Sequence, residues 1–268
     1  MSIKYHDVDV GVTLGGGGSG GGGIVILSGT SAPSSSQGED GDVYLQYYTV
    51  PSGYTPKEYL EVTSSGPYID TGVQNTSDAY YWLDAQYTSA PSNNYGIFGS
   101  AAPNKEFTIN NYGGVSFFNA GGTRGIFTSA NLVRHVFECT SAAVLLDGAN
   151  TGATVNWNNA TSLTYYLFAF HYSSSPGIYK TANARIYGCK LYNGSTLVRN
   201  FIPCVRDSDS EPGMYDLVND VFYDNDGSGS FSVGSTVTAS PIISAYAKVS
   251  GAWQALIGTD INDINLGS

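Results

Sequence analysis

The chain has 268 residues, of which 12% are charged, 34 are glycine and 21 are tyrosine. This composition excludes an intrinsically disordered chain, which would combine high charge with few aromatic residues. With 11 Lys and Arg against 22 Asp and Glu, the net charge of −11 repels phosphate backbones, so we expect no nucleic-acid binding. The length allows one large all-β domain with appendages or two ordinary domains.

Residues 1–53 are predicted to form an attachment and oligomerisation segment. The apolar alternation of residues 1–14 is close to strand period, and it leads into the glycine run 15–23. The run contains a formal GxGxxG pattern, but β-branched residues follow it where a nucleotide loop would open a helix. We therefore expect a backbone that packs against close neighbours, other chains included, rather than a nucleotide site. The predicted assembly residues are Gly15, Gly18, Gly23, Ile24 and Ile26.

No stretch of the sequence reaches the ~18 apolar residues of a membrane span. The N-terminal residues lack a basic n-region and an apolar h-region. We therefore expect neither a membrane span nor a Sec-type export signal. If the protein works outside a cell, we expect it to leave by another route, such as lysis or assembly into a particle.

Residues 54–235 are predicted to form a β-sandwich or barrel. Short strands of β-branched and aromatic residues alternate with Gly, Asn, Ser and Asp turns, at the spacing of ~8–12 residues that is typical of such folds. No window has a convincing helical period with caps. In ARIYGCKLY, 184–192, a period of two places Arg185, Tyr187, Cys189 and Leu191 on one face.

Residues 236–268 are predicted to form a small C-terminal β segment. The stretch AYAKVSGAWQAL, 245–256, predicts a hairpin that turns at Ser250 and Gly251.

Signals for catalysis are weak, so we expect no enzyme. None of the six Glu opens the E-x-D-x-x-E pattern that sandwich glycanases often carry, no GxSxG elbow is present, and there are three His. The three Cys include no CxxC, which disfavours a structural zinc site, and their odd number argues against a disulfide framework. Buried thiols are the expected state.

Two acid-rich loops, 207–216 and 224–230, are the candidate metal sites. Carboxylates and turn carbonyls can hold calcium, but an EF-type loop needs a Glu six residues after its glycine, where Val233 follows Gly227. We expect Asx turns and no cofactor, with calcium as the alternative. Its candidate ligands are Asp207, Asp209, Asp224 and Asp226.

Aromatic residues lie next to many Asn and Ser residues, a combination that suits sugars because rings stack on them while amides and hydroxyls bond their hydroxyl groups. The same rings suit a core, since half of each strand must face inward. The candidate ligand residues are Tyr81, Trp82, Asn94, Tyr95, Trp157, Asn158 and Tyr172.

Two long stretches carry a family resemblance. EYLEVTSSGPYIDTGV, 58–73, resembles the opening of the concanavalin A-like, laminin-G-like lectin domains of gut-bacterial and phage proteins, and 184–234 resembles their ending. The resemblance implies an all-β jelly-roll sandwich. It also implies that Arg199, Tyr215 and Asp216 form fold-closing turns rather than ligand contacts, with a buried Arg–Asp pair.

The flanking segments extend the resemblance. SGTSAPSSSQGEDGDVYLQY, 28–47, is similar to a linker-and-strand segment of phage tail and head-fibre proteins, and 245–256 resembles their short terminal modules. These similarities imply a phage virion structural protein, in a tail, fibre or capsid appendage. Its lectin-like domain would attach to host-surface or mucosal glycans through many weak copies.

Two other functions are open. The first is a purely structural capsid-decoration or fibre-base protein without a ligand, and the second, disfavoured by the missing acid pair, is a glycan depolymerase. The expected partners are other virion proteins and copies of the chain itself, as a homo-oligomer for which a trimer is the working assumption. The expected location is the virion, assembled in the host cytoplasm and extracellular in the mature particle.

Overall fold

The structure is a computed structural model. It describes residues 3–5, 8–10, 26–29, 32–47, 50–89, 95–103, 105–112, 115–120, 124–127, 132–153, 155–156, 160–173, 178–179, 182–237 and 242–255. These residues contain no helix, which confirms the predicted all-β class. It follows that the described residues contain no helix long and apolar enough to cross a membrane.

The strands of the described residues, in chain order, are β1 (Ile3–Tyr5), β2 (Val8–Val10), β3 (Ile26–Gly29), β4 (Val43–Tyr47), β5 (Tyr54–Pro56), β6 (Leu60–Val62), β7 (Ile69–Gln74), β8 (Ala79–Tyr87), β9 (Tyr95–Ala102), β10 (Lys105–Tyr112), β11 (Val115–Ala120), β12 (Arg124–Phe127), β13 (Arg134–Cys139), β14 (Val144–Leu146), β15 (Ala149–Asn150), β16 (Thr164–Leu167), β17 (Phe170–Tyr172), β18 (Ile178–Tyr179), β19 (Ala184–Asn193), β20 (Thr196–Arg206), β21 (Glu211–Asp216), β22 (Val221–Tyr223), β23 (Ser232–Val233), β24 (Ile242–Val249) and β25 (Ala252–Ala255). They fall into two compact units, one of Met1–Pro51 with Val237–Ser268 and one of Ser52–Thr236.

The first unit contains the hairpin β1–β2 and a four-stranded sheet in the order β25-β24-β4-β3. The predicted C-terminal hairpin is present, because Val249 pairs with Ala252 across a two-residue turn. Ser250 and Gly251 have φ of 52° and 77°, as a turn with two left-handed residues requires. The predicted assembly residues Gly15, Gly18, Gly23 and Ile24 lie outside the described residues, and Ile26 begins β3 by pairing with Val43 in parallel.

A buried lysine fixes one loop of this sheet. Lys248 is 7% exposed, and its Nζ donates hydrogen bonds to the carbonyl oxygens of Ser35, Gln37 and Gly38 at 3.0, 2.6 and 2.8 Å. A buried ammonium needs all its protons bonded, so the three carbonyls account for the burial of this charge.

The second unit is a β-sandwich of two sheets. The smaller sheet has the order β12-β11-β10-β9-β16-β7, with β17 and β18 attached, and the larger sheet has the order β15-β14-β13-β8-β19-β20-β21-β22, with β5, β6 and β23 attached. Apolar side chains of both sheets form one core, whose fully buried aromatic members include Tyr81, Phe98, Phe107, Tyr165, Phe168 and Phe201. Cys139, Cys189 and Cys204 are buried free thiols, as predicted.

A β-bulge in β19 corrects the predicted face assignment of ARIYGCKLY. The register of β19 against β8 shifts between Ile186 and Gly188. Cys189 and Leu191 are fully buried, whereas Tyr187 is half-buried on the outward face. The grouping of Arg185 and Tyr187 with these two residues was wrong because a bulge adds one residue to a strand and reverses its alternation from that point.

The Arg–Asp pair implied by the resemblance is present where β20 meets β21. The Asp216 side chain is fully buried, and its Oδ2 lies 3.5 Å from Arg199 Nε. Asp216 also accepts hydrogen bonds from the Asn200 amide at 2.9 Å and from Asn219 Nδ2 at 2.7 Å. Arg199 Nε donates to the Thr71 carbonyl oxygen at 3.2 Å, which ties β20 to the smaller sheet.

Candidate functional site

The alternation of β8 separates the two neighbouring aromatic residues that were predicted to bind ligand. Tyr81 faces the core and is 2% exposed. Its ring centroid lies 4.6 Å from that of Phe98 and 5.8 Å from that of Tyr165. A ring in this position does not reach a ligand at the surface, so Tyr81 is a core residue, whereas Trp82 is half-buried on the opposite face.

We call the outward surface around β8 the outer sheet face. It consists of Tyr59, Glu61, Tyr80, Trp82, Asp84, Gln86, Arg134, Val136, Glu138, Arg185, Tyr187, Gly188, Lys190 and Tyr192. Cross-strand pairing of β13 and β19 with β8, and of β6 with β19, brings these residues side by side.

Trp82 is the centre of an aromatic patch at one end of this face. Glu138 on β13 and Lys190 on β19 are its direct cross-strand neighbours, and Lys190 Nζ lies over the indole, 4.8 Å from its centroid. A Cβ on Gly188 would lie 3.5 Å from Trp82 Cζ3, so the indole lies across a residue without a side chain. The aromatic patch comprises Tyr80, Trp82, Glu138, Lys190 and Tyr192.

Two members of the aromatic patch, Glu138 and Tyr192, have raised pKa values. Tyr80 and Tyr192 are a half-buried cross-strand pair. Burial raises the pKa of Glu138, and the nearby Lys190 ammonium opposes that rise. Burial and then the Glu138 carboxylate raise the pKa of Tyr192. The partly desolvated Glu138 carboxylate, the Lys190 ammonium and three aromatic rings therefore lie together on one surface.

A guanidinium patch, consisting of Gln86, Arg134, Arg185 and Tyr187, occupies the other end of the face. Arg134 binds Asp84 with two hydrogen bonds, from Nε to Oδ1 at 2.7 Å and from Nη2 to Oδ2 at 2.5 Å. Its guanidinium also stacks on Tyr187, with Cζ 3.9 Å from the ring centroid. The Tyr187 hydroxyl donates to Gln86 Oε1 at 2.9 Å, so these side chains form one connected network.

Arg185 extends this network towards β6. Its Nε donates to Glu61 Oε1 at 3.0 Å, and its guanidinium lies 4.3 Å from the Tyr59 ring centroid. The Tyr59 ring meets that of Tyr187 edge-on at 5.5 Å. Desolvation, the largest single influence, lowers the pKa of Arg185, but Glu61 and, more weakly, Tyr59 together raise it above its usual value. Each guanidinium is thus held by one carboxylate and one ring.

A second cluster lies on the smaller sheet. The rings of Tyr68 and Tyr166 stack at 4.7 Å, and those of Tyr166 and His171 at 4.4 Å. Asp226 Oδ2 accepts a hydrogen bond from the Asp70 amide at 2.7 Å. Burial and then Asp70 raise the pKa of Tyr166 to about 12, and burial and the carboxylates of Asp70 and Asp224 raise that of Asp226.

The remaining predicted ligand residues are separate from Trp82 or lie beyond the described residues. Tyr172 is half-buried on β17, in the smaller sheet. Tyr95 begins β9, where the structure describes its backbone, and Asn94, Trp157 and Asn158 lie outside the described residues.

The candidate calcium ligands are engaged with other groups of the protein. Asp207 Oδ1 accepts from Thr55 Oγ1 at 2.7 Å. Arg206 Nη2 lies 2.8 Å from Asp209 Oδ2 and 3.3 Å from Asp224 Oδ2. Within the ranges that the structure describes, no group of three or more His, Cys, Asp and Glu is arranged to hold a metal ion.

Of all the members of the outer sheet face, only Trp82 was among the predicted ligand residues. One signal was available: Asp84 and Gln86 follow Trp82 at intervals of two, which assigns the odd-numbered Tyr81 to the core side. Glu138 and Lys190 could not be found in this way, because they lie 56 and 108 positions after Trp82 and meet it only through strand pairing.

Comparison with known proteins assigns no family to the chain. No protein-family model matches the chain, and no curated protein matches it. Among solved structures, the chain is similar to a protein of Bacteroides ovatus ATCC 8483 described as a "putative carbohydrate binding protein", with a TM-score of 0.48 and 12% identity over 75% of this chain and 71% of that chain. A similarity this distant carries no functional assignment, which has to come from the side chains.

Proposed function

We propose that this protein binds carbohydrate on the outer sheet face, with Trp82 as the surface on which a sugar ring packs. The observation that carries the proposal is the half-buried Trp82 indole with Glu138 and Lys190 as its cross-strand neighbours. Sugars present apolar C–H groups to aromatic rings and hydroxyl groups to charged donors and acceptors. The aromatic patch offers both kinds of contact within one row of three cross-strand neighbours.

Substitution of Trp82 tests this proposal. We expect Trp82→Ala to weaken the binding of a glycan selected on an array by about 30-fold, which corresponds to the ~2 kcal/mol of an aromatic hot spot. Isothermal titration calorimetry gives the affinity, and circular dichroism checks that the fold is retained. Tyr172→Ala is the matched control, since Tyr172 is a half-buried aromatic residue of the other sheet. If only the control variant lost binding, the site would lie on the smaller sheet instead.

We also propose the finer role implied by the sequence resemblance, a virion appendage that attaches to host-surface or mucosal glycans. The support is the similarity of 28–47 and 245–256 to phage tail and head-fibre segments. Immunogold labelling of intact particles tests the location, and deletion of residues 1–53 is expected to abolish incorporation. Particles with Trp82→Ala should adsorb poorly; unchanged adsorption and infection would favour the purely structural role.

We propose binding without turnover. Of the three carboxylates of the outer sheet face, Asp84 and Glu61 are each paired with an arginine, which does not suit them to proton transfer. Glu138, whose pKa burial raises, then lacks on this face the second available carboxylate that glycoside hydrolysis requires. Incubation with the bound glycan should release no reducing ends. Release that is lost in Asp226→Asn would instead support a depolymerase on the smaller sheet, where Asp70 and Asp226 adjoin.

A further inference from the structure

The two patches of the outer sheet face are separated by a buried row. Val136 and Asp84 are 7% and 1% exposed, and Gly188, which is also buried, has no side chain. Val136 and Gly188 are the cross-strand neighbours of Asp84, so these three residues cross the middle of the face. Arg134 covers Asp84 from the side of one patch, and the Trp82 indole lies across Gly188 from the side of the other, so a ligand that touches this surface meets the side chains of both patches.

The distance between the patches sets the size of a ligand that uses both. Trp82 and Gln86 lie four positions apart on β8, which has no register shift against β13 between them. At ~3.3 Å per residue, their separation along the strand is ~13 Å. A single sugar ring on Trp82 therefore does not reach Gln86, whereas several linked rings along β8 do.

The guanidinium patch offers hydrogen-bond donors suited to the hydroxyl groups of a sugar. The side chains of Arg134 and Arg185 are 31% and 32% exposed, so part of each guanidinium reaches the surface. Stacking on Tyr187 and Tyr59 holds the two planes in place. Rigid donor groups lose little entropy on binding, which favours their use as a second set of contacts.

The charges of the outer sheet face balance. Arg134 pairs with Asp84, and Arg185 pairs with Glu61. Lys190 is the cross-strand neighbour of Trp82 opposite Glu138, and its ammonium opposes the rise in the pKa of Glu138 that burial causes. Glu58 adds a negative charge near Tyr187. Because the whole chain also carries a net charge of −11, an anionic glycan meets repulsion without an excess of positive charge at the site.

We infer that the outer sheet face takes an uncharged oligosaccharide, which lies along β8 and contacts both patches, rather than a monosaccharide or an anionic glycan. This inference rests on the proposed carbohydrate binding at Trp82 and adds the length and charge of the ligand.

The test is a calorimetric series with the full chain. The uncharged probes are monosaccharides through hexasaccharides from cellulose, xylan, chitin and starch, and the anionic probes are oligogalacturonates of the same lengths. Affinity for the preferred uncharged series is expected to rise at least about tenfold from the monosaccharide to the oligomer that spans both patches. It should change little between low and high salt.

Variants of the two patches distinguish the inference from the proposed function. Tyr187→Ala and Arg185→Gln are each expected to lower hexasaccharide affinity about tenfold more than disaccharide affinity, with thermal melts to confirm folding. Three results would overturn the inference but leave the proposed function standing. They are equal affinity for probes of all lengths, equal effects of Tyr187→Ala on short and long probes, and tighter, salt-sensitive binding of oligogalacturonates. Absence of any binding, or binding that Trp82→Ala leaves unchanged, would overturn the proposed function itself.

Discussion

At the scale of single residues, the most constrained group of the outer sheet face is the carboxylate of Asp84. It points away from the core and yet is 1% exposed, because Arg134 covers it with two hydrogen bonds and stacks in turn on Tyr187. A buried charge that keeps its partner is tolerated, whereas the same charge without its partner is strongly destabilising. Asp84 thus holds the guanidinium patch in position and makes it sensitive to mutation.

We therefore expect Arg134→Leu to lower the free energy of unfolding by about 3–5 kcal/mol. The double variant Asp84→Leu/Arg134→Leu should recover most of that loss, because it removes the stranded carboxylate as well. Urea denaturation followed by fluorescence measures both. If the double variant is as unstable as Arg134→Leu, the loss comes from the packing of the arginine and the charge argument is wrong.

Asp226 offers a second test at this scale, through pH. Burial and the neighbouring carboxylates of Asp70 and Asp224 raise its pKa, so ionisation is harder in the folded than in the unfolded protein. The folded state consequently loses stability as pH rises through that raised pKa. We expect Asp226→Asn to have a higher Tm than the parent at neutral pH, with the difference closing at acidic pH where the parent carboxyl is protonated.

Asp209 is a control for this prediction, because its pKa is shifted in the opposite direction from that of Asp226. Its hydrogen bond to Arg206 lowers its pKa, so its stabilising effect is present at neutral pH and is lost as pH falls through the lowered value. Asp209→Asn should therefore lower Tm at neutral pH. Differential scanning calorimetry across the acidic range measures both variants, and shifts of the same sign would contradict the electrostatic account.

At the scale of strands, β8 and β19 show what periodicity can and cannot predict. The alternation of β8 is regular, and its polar positions Asp84 and Gln86 indicate the outward side from the sequence alone. The bulge of β19 between Ile186 and Gly188 leaves no such signal, because pairing with the neighbouring strand determines where an extra residue is inserted. Periodicity therefore assigns Trp82 to the surface but places Tyr187 on the wrong face.

The glycine of this bulge gives a prediction for the site. A Cβ on Gly188 would lie 3.5 Å from Trp82 and 3.6 Å from the Phe201 carbonyl oxygen, which is ordinary van der Waals contact, so Gly188→Ala should preserve glycan affinity. The branched side chain of Gly188→Leu needs the space that the indole occupies. We expect it to weaken binding about tenfold or more and to shift tryptophan fluorescence. Equal affinity of the two variants would show that the indole does not depend on this position.

At the scale of the whole molecule, the composition, turn spacing and strand alternation were sufficient to predict an all-β sandwich or barrel, because these features are local, and the family resemblance selected the sandwich. The order of the strands was not predictable in the same way. β8 lies between β13 and β19, and β6 pairs with β19. These strands together create the outer sheet face from segments that are far apart in the chain. The resemblance of 184–234 did anticipate the pair Arg199–Asp216, since it carries information about long-range packing that periodicity lacks.

The second unit, Ser52–Thr236, has its own closed core. Its two ends meet, because Lys57 and Thr236 form a bridge and Lys57 Nζ donates to Thr236 Oγ1 at 2.7 Å. Near its end, Phe231 is 6% exposed and packs 5.2 Å from Phe168. A unit that buries its own apolar surface and pairs its own terminal strands meets the requirements of an independently folding domain.

We expect a fragment of residues 52–236 to fold without the rest of the chain and to bind the same glycan with the same affinity, because the whole outer sheet face lies within it. Circular dichroism should show one cooperative thermal transition. A matched fragment of residues 52–229 lacks β23, which pairs with β6, and loses Phe231 from the core, so it should unfold at a much lower temperature or not fold. If the longer fragment shows no cooperative transition, the sandwich needs the first unit in order to fold, and the prediction of an independent domain is wrong.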